Sequence, residues 1–161
     1  MDPSQSRQNE PPQICMVSEA DFDELASLRI AAMRESLERV GRFDPERARE
    51  RLRATFDPMH THGIVVGGQR VGFFATRMTE DELWLDHLYI HPSFQGRGLG
   101  SAVLAIVADM AEELGRPLLV GALKESRSND FYRKHGFQFS HEGEWDNYYR
   151  RDPSARSVQK P

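Results

Sequence analysis

The segment LYIHPSFQGRGLGS, residues 88–101, is the most informative part of this 161-residue chain. Its first residues are apolar, as in a buried strand, and His91-Pro92 ends that strand because proline has no amide to donate to a ladder. Glycines follow at positions 96, 98 and 100, and an apolar pattern with helical spacing begins at Leu99. The segment therefore predicts a strand, a glycine-rich turn and a helix in direct succession.

A glycine-rich turn between a strand and a helix is suited to binding phosphate. Glycine lets backbone amides approach a ligand closely, and the helix N-terminus adds its positive end. The chain has no Gly-Lys-Ser/Thr of a P-loop, and its GxGxG spacing with Ser101 next differs from the GxGxxG of a dinucleotide site. The turn thus predicts a diphosphate ligand of another kind. A tight turn that binds nothing is the alternative.

The elements around this turn predict the fold class. Helical patterns cover residues 18–41, 45–55, 99–114 and 128–135, and strand patterns cover 13–17, 63–67, 70–79, 82–90, 117–123, 137–141 and 145–150. The second and third strands are predicted to form a hairpin that turns at Gly67-Gly68-Gln69. Consecutive strands followed by a βαβ crossover predict a mixed α/β (α+β) fold with a central, mostly antiparallel twisted sheet flanked by helices. Polar, proline-containing residues 1–12 and residues 152–161 predict flexible tails around one domain at 13–151.

Composition narrows the functional class. A net charge of −4 disfavours nucleic acid as the main partner, because phosphate contacts need clustered basic residues. No apolar run approaches the roughly 20 residues of a membrane span. Residues 1–13 lack the pattern of a signal peptide, and the single Cys15 precludes an intrachain disulfide. A cytoplasmic location is therefore the default expectation.

Two motifs resemble the GNAT superfamily of N-acetyltransferases. The superfamily's signature Gln/Arg-x-x-Gly-x-Gly/Ala is matched by Gln95, Gly98 and Gly100, and the residues before it resemble the strand that leads into this loop. The segment FYRKHGF, residues 131–137, is a second match in the expected order. The likeness spans about residues 14–150. It implies the GNAT fold, with acetyl-CoA as co-substrate, an amine as acceptor and no metal.

The resemblance also implies roles for individual residues. The backbone of Leu88, Tyr89 and Ile90 would hold the pantetheine arm between splayed fourth and fifth strands. Tyr132 would protonate the departing thiolate, since a phenol stays protonated at neutral pH and donates as charge develops; a core aromatic is the alternative. The diphosphate would be bound by the amides of Gln95, Gly96, Arg97, Gly98, Leu99, Gly100 and Ser101.

One position departs from the family pattern. Many members carry an asparagine six or seven residues before the tyrosine, where it orients the cofactor, and this chain has Glu125 and Ser126 there. Ser126 is the expected replacement, although a hydroxyl cannot supply an amide's paired donor and acceptor. Asn129 lies nearby in a different register and could stand in for it.

The predicted general base lies on the strand before the turn. We predict Asp86, with His87 as the alternative and Glu82 as a further acid on that strand. Strict alternation puts Asp86 and His87 on opposite faces. A mechanism without a dedicated base also remains open, with Asp86 only binding substrate.

Other histidines and the acceptor region carry weaker signals. His87 and His91 would share a strand face, yet a metal pair would lack a third ligand, and His60 and His62 are predicted to lie in a loop. In the family the first two helices and the last hairpin line the acceptor site, and their candidates here are Met33, Leu37, Arg42, Phe43, Trp145, Asp146, Tyr148 and Tyr149. The acids and aromatics at 142–146 fit a cationic amine, but a solvent-exposed hairpin explains them equally well.

These observations predict an acetyl-CoA-dependent N-acetyltransferase. It would transfer the acetyl group to a primary amine of a small molecule or peptide by direct attack on the thioester. A non-catalytic acyl-CoA-binding module is the alternative, and acetylation of a protein or of charged tRNA is a third reading. Family habit favours a homodimer.

Overall fold

A computed structural model describes residues 11–154 of the chain. The predicted tail residues 1–10 and 155–161 lie outside the described residues. The helices are α1 (Phe22–Arg39), α2 (Pro45–Thr55), α3 (Leu99–Leu114) and α4 (Ser128–Lys134), and the strands are β1 (Gln13–Met16), β2 (Thr61–Val66), β3 (Gln69–Met78), β4 (Leu83–Ile90), β5 (Leu118–Leu123), β6 (Gln138–Glu142) and β7 (Asp146–Arg151). Short 3-10 turns cover Glu19–Asp21, Pro58–His60 and Pro92–Phe94.

The strands form a mixed sheet with the order β1-β2-β3-β4-β5-β7-β6. The β1-β2, β2-β3, β5-β7 and β6-β7 pairs are antiparallel, whereas β4 and β5 run parallel from Leu83–Leu118 to Leu85–Val120. A parallel pair needs a crossover, and α3 supplies it. The predicted fold class, a mostly antiparallel mixed sheet with flanking helices, is confirmed.

Within the described residues, the chain divides into two compact units. The first contains the residues up to Ala75 together with His87–Val103, and the second contains Thr76–Asp86 together with the residues from Leu104 onward. The strand end Leu88–Ile90 and the glycine-rich turn therefore belong to the first unit. Asp86, Ser126 and Tyr132 belong to the second unit.

The core of the first unit lies between α1, α2 and β3. α2 begins where predicted, because the Asp44 side chain accepts a hydrogen bond from the Arg47 amide at 3.2 Å and Pro45 occupies the first helical position. Phe56 and Tyr89 pack against a buried cluster formed by Val17, Phe22, Leu25, Ala26, Leu28, Leu52 and Phe73. Tyr89 thus ties the end of β4 to the helices of this unit.

The β2–β3 hairpin turns where the sequence predicted. Gly67 and Gly68 both have positive φ, 58° and 81°, as a two-residue primed turn requires. β2 begins at Thr61, two residues earlier than predicted, because it extends its pairing with β3 to Ala75. His62 therefore lies in a strand and not in the predicted loop. Its ring is 5.0 Å from that of Phe74, and burial lowers the pKa of this imidazole.

Gly72 brings β3 unusually close to the end of β4. A Cβ at this position would lie 2.2 Å from the Tyr89 carbonyl oxygen, so only glycine fits. Next to it, the His91 amide donates to the Val71 carbonyl at 2.7 Å. These contacts hold the backbone of β4 in place just before the glycine-rich turn.

Candidate functional site

The glycine-rich turn is anchored at its start by Gln95. The Gln95 side chain folds back and donates through Nε2 to the Ile90 carbonyl, at 2.9 Å. Gly96 and Gly98 follow with φ of 78° and 80°, in the left-handed region that favours glycine. The sequence therefore places two glycines where the backbone reverses direction before α3.

The space in front of these glycines is open. A Cβ at Gly96 or Gly98 would have no neighbour within 4 Å. The first bond of α3 runs from the Ala102 amide to the Gly98 carbonyl, at 3.0 Å, so the amides of Leu99, Gly100 and Ser101 precede the helical ladder. Amides at the start of a 16-residue helix, together with the positive end of its dipole, are suited to an anionic group.

Arg97 adds a positive charge to this turn. Its Nη2 donates to the Ser93 carbonyl at 3.2 Å, and its guanidinium lies 5.0 Å from the centre of the Phe94 ring. Both contacts hold the side chain back along the preceding 3-10 turn. A cationic side chain therefore lies at the turn.

The end of β4 carries a short hydrogen-bonded array in the first unit. His87 Nδ1 lies 3.2 Å from the Tyr89 hydroxyl, and His87 Nε2 lies 3.4 Å from Thr55 Oγ1 on α2. Arg29 on α1 donates through Nε to the same tyrosine hydroxyl, at 3.3 Å. The Phe73 ring packs against both His87 and Tyr89. Side chains of β4 and the first two helices therefore meet around Tyr89.

Asp86 forms an ion pair with Arg77 in the second unit. Arg77 Nε and Nη2 reach the two carboxylate oxygens at 2.9 and 3.2 Å. The same guanidinium lies 5.2 Å from the Trp84 ring centre. Two of the lone pairs of Asp86 are thus occupied, and its side chain is 25% exposed. No local pattern of residues predicts this pairing, since nine residues separate the partners.

The Asn129 side chain is fully hydrogen-bonded within the protein. Its amide Nδ2 donates to the carbonyls of Leu123 and Ser126, both at 2.9 Å, and its Oδ1 accepts from Asn147 Nδ2 at 3.0 Å and from the Tyr149 hydroxyl at 2.8 Å. An asparagine amide offers two donors and two acceptor sites. All four are used, so this side chain has no capacity left for a cofactor.

The two residues at the family's asparagine position lie in the turn after β5. Ser126 donates its amide to the Leu123 carbonyl at 3.1 Å, and its hydroxyl lies 3.4 Å from Asn129 Nδ2. Glu125 has a positive φ of 69°. It is the only non-glycine residue with a positive φ among the described residues. Asparagine adopts this left-handed conformation more readily than glutamate does. The departure from the family pattern therefore carries a backbone cost at Glu125.

Tyr132 lies in an aromatic cluster of the second unit and is 6% exposed. Its ring centre is 5.4 Å from that of Phe137 and 6.3 Å from that of Tyr149. Its carbonyl accepts the amides of His135 and Phe137, both at 3.1 Å, which closes α4. The ring is therefore fixed in position, as both a proton donor and a core aromatic would require.

The adjacent residues Tyr148 and Tyr149 of the last hairpin lie in different environments. Tyr149 is fully buried and donates to Asn129, so it does not line a surface site. Tyr148 instead stacks on His141, with ring centres 4.7 Å apart, and meets Trp84 edge to face. Gly121 makes room for this ring, since a Cβ there would lie 3.2 Å from it. Of the pair, only Tyr148 remains a candidate to meet an acceptor.

Between residues 11 and 154, no three His, Cys, Asp or Glu side chains come together as a metal site would require. In the same range, the helices are too short or too polar to cross a membrane.

Several solved structures with a similar fold are named as acetyltransferases. PaiA N-acetyltransferase from Thermoplasma acidophilum, in complex with coenzyme A, matches with a TM-score of 0.73 at 14% identity, over 89% of this chain and 99% of that chain. An acetyltransferase from Thermus thermophilus matches with a TM-score of 0.71 at 19% identity, over 89% and 97%. The ribosomal-protein-S18-alanine N-acetyltransferase from Escherichia coli matches with a TM-score of 0.64 at 15% identity, over 86% and 90%. The TM-scores establish a shared fold, and at these identities the likeness shows the fold alone.

Sequence comparison identifies the family. Among curated protein sequences, none matches the chain. The profile of the acetyltransferase (GNAT) domain matches residues 59–139, about half of the chain, including β4, the glycine-rich turn, α3, β5 and α4. The chain therefore belongs to the GNAT acetyltransferase family.

Proposed function

We propose that this protein is an acetyl-CoA-dependent N-acetyltransferase that acts on a primary amine. The observation that carries the proposal is the turn between β4 and α3, where two left-handed glycines open a space in front of the first amides of a long helix. The amides from Gln95 to Ser101 would bind the diphosphate, and the backbone of Leu88–Ile90 would bind the pantetheine arm. We also propose that the protein works in the cytoplasm.

The proposed reaction is a direct transfer. The amine, freed of its extra proton, attacks the thioester carbonyl, and a C–N bond forms as the C–S bond breaks. The proton leaving the nitrogen goes to a base on β4 or to water. The coenzyme leaves as a thiolate, which takes a proton from the Tyr132 hydroxyl. The products are an N-acetylated amine and free coenzyme A.

Coenzyme binding is the first test of this proposal. Calorimetric titration is expected to show acetyl-CoA and desulfo-CoA binding with a Kd of roughly micromolar order, and no binding of NADH. Gly98→Val should weaken acetyl-CoA binding by at least about tenfold, because a branched side chain strains the backbone at this φ and fills the open space.

Gly115→Val is the matched control for this test. Gly115 has a φ of 64°, its Cβ position is open, and it follows the opposite end of α3. The substitution imposes similar strain and should leave coenzyme affinity unchanged. Absence of acetyl-CoA binding to the unmodified protein would overturn the proposed function.

The general base is proposed to lie on β4. We propose Asp86, whose carboxylate keeps one lone pair on each oxygen beyond the Arg77 pair. Asp86→Asn is expected to lower kcat by about 100-fold at pH 7 and to recover as the pH rises and free amine accumulates. His87→Gln should cost less than about tenfold. If His87→Gln lowers kcat more than Asp86→Asn does across a series of pH values, His87 and not Asp86 would be the base.

A non-catalytic acyl-CoA-binding module is the second candidate function. The observation that favours it is the burial of Tyr132 among aromatic rings, which packing alone would explain. Such a protein would bind acetyl-CoA in the titration and release no thiol with any amine.

A further inference from the structure

Arg29 is a buried arginine without an acidic partner. It lies on α1 with only 7% of its surface exposed, beside the apolar cluster of the first unit. Its Nη1 donates to the Ala48 carbonyl at 2.5 Å and its Nε donates to the Tyr89 hydroxyl at 3.3 Å. Within residues 11–154, no carboxylate oxygen lies within 4.0 Å of its guanidinium.

Three acids near the start of α1 are paired with other arginines. Asp23 pairs with Arg49 at 2.5 Å, and Arg70 takes both Asp21 and Glu24, at 3.2 and 3.0 Å. These pairs lie nearer to solvent, where a charge costs little. Arg29, the one arginine buried within residues 11–154, has no such counter-charge beside it.

Burial of an unpaired charge is unfavourable, since two neutral oxygens replace only part of its hydration. A guanidinium has five N–H donors, and Arg29 uses two of them. The Nη2 atom has no partner among the described residues, yet it is not one of the fully enclosed unsatisfied atoms. Part of its surface therefore remains in contact with solvent.

The unused donors of the Arg29 guanidinium are suited to a carboxylate. A guanidinium with free donors on one edge matches the two oxygens of a carboxylate, and the pairing is strong where water is scarce. Tyr89, which accepts from Arg29, also contacts His87 at 3.2 Å on the strand proposed to bind the pantetheine arm. The Arg29 guanidinium is thus hydrogen-bonded directly to a side chain of that strand.

We propose that Arg29 binds the carboxylate of the acceptor, and that the acceptor is an α-amino acid or a close derivative with a free carboxylate. The inference rests on the proposed acetyl transfer. The amine of an α-amino acid is attached to the carbon beside its carboxylate, so anchoring the acid fixes where the nucleophile lies. The atoms exchanged are those of the proposed reaction, and the carboxylate takes no part in bond making.

The test compares acceptors that differ only in the carboxylate. The twenty α-amino acids and their carboxamides are incubated with acetyl-CoA, and thiol release is followed. At least one amino acid is expected to show a kcat/KM about 10- to 100-fold higher than that of its carboxamide, the ratio that a charge-assisted hydrogen bond supplies. Equal rates for acid and amide, or transfer only to amines without a carboxylate, would overturn the inference.

Substitution of Arg29 tests whether this residue causes the preference for the amino acid over its carboxamide. Arg29→Gln should raise KM for the amino acid towards that of the amide and leave the rate with the amide unchanged. Arg34→Gln is the matched control, since Arg34 lies on the same helix with its side chain exposed and paired with Glu38. An acid-to-amide ratio that persists in folded Arg29→Gln would also overturn the inference. If Arg29→Gln does not fold, equal rates for acid and amide in the unmodified protein would still overturn the inference.

A binding measurement separates this inference from the proposed function. Thermal unfolding of the unmodified protein is followed with each amino acid or its carboxamide, with and without coenzyme A. Stabilisation by the amino acid alone, lost in Arg29→Gln, would support the carboxylate site even if no thiol is released. Acetyl transfer to simple amines without stabilisation by any amino acid would overturn the site and leave the proposed function standing.

Discussion

Replacing Tyr132 with phenylalanine is expected to lower kcat by about 100-fold or more, within the range that a proton donor contributes. The change removes only the hydroxyl, and the ring keeps its packing against Phe137 and Tyr149. Affinity for acetyl-CoA should therefore change by less than about twofold. Steady-state thiol release and calorimetric titration of the same preparation measure the two effects.

Tyr149→Phe is the control for Tyr132→Phe. It removes a hydroxyl from the neighbouring ring of the same cluster, at a centroid distance of 6.3 Å. It should cost about 1 kcal/mol of stability through the lost bond to Asn129 and leave kcat nearly unchanged. If Tyr132→Phe turns over as fast as the unmodified enzyme, the buried ring is structural and the proton comes from elsewhere.

Asn129→Ala is expected to lower the free energy of unfolding by about 3–5 kcal/mol. The substitution removes four hydrogen bonds at once and leaves the Tyr149 hydroxyl, at 0% exposure, without its acceptor. The carbonyls of Leu123 and Ser126 also lose a donor. Urea denaturation measures the change, which is a large fraction of the stability of an ordinary domain.

Asn147→Ala tests the same network from its edge. It removes one bond to Asn129 Oδ1 and leaves the bond from Tyr149 in place, so a loss of only about 1 kcal/mol is expected. If Asn129 instead held the coenzyme, Asn129→Ala would leave stability unchanged and weaken acetyl-CoA binding. That result would restore Asn129 as the substitute for the family's missing asparagine.

Local sequence signals predicted most of the fold. α2 and α3 begin and end at the predicted residues, because a capping aspartate with proline marks one start and a glycine follows the end of α3. The hairpin at Gly67-Gly68 and the turn at Gly96–Gly98 were predicted for the same reason, since positive φ is easy only for glycine. The error at β2 arose from pairing with β3, which adds residues that have no strand signal of their own.

The partners of individual side chains could not be predicted in this way. Arg77 meets Asp86 across nine residues, Tyr89 meets Arg29 across 60, and Tyr149 meets Asn129 across 20. The sequence shows these residue types and says nothing of their pairing, because chain folding alone brings them together. For this reason Asp86 was predicted without its ion pair, and Asn129 without its saturated bonds.

The amino-acid sequence was sufficient for the order of elements, the glycine-rich turn and the family resemblance, because each depends on residues close together in the chain. Tertiary packing was needed to show that Tyr149 is buried, that the Asn129 side chain has no unused hydrogen-bonding group and that Arg29 has no acid beside it. Burial and hydrogen-bond saturation depend on contacts between distant segments. The proposed turn for the coenzyme is therefore readable in the sequence, whereas the proposed carboxylate site for the acceptor is visible only in the folded chain.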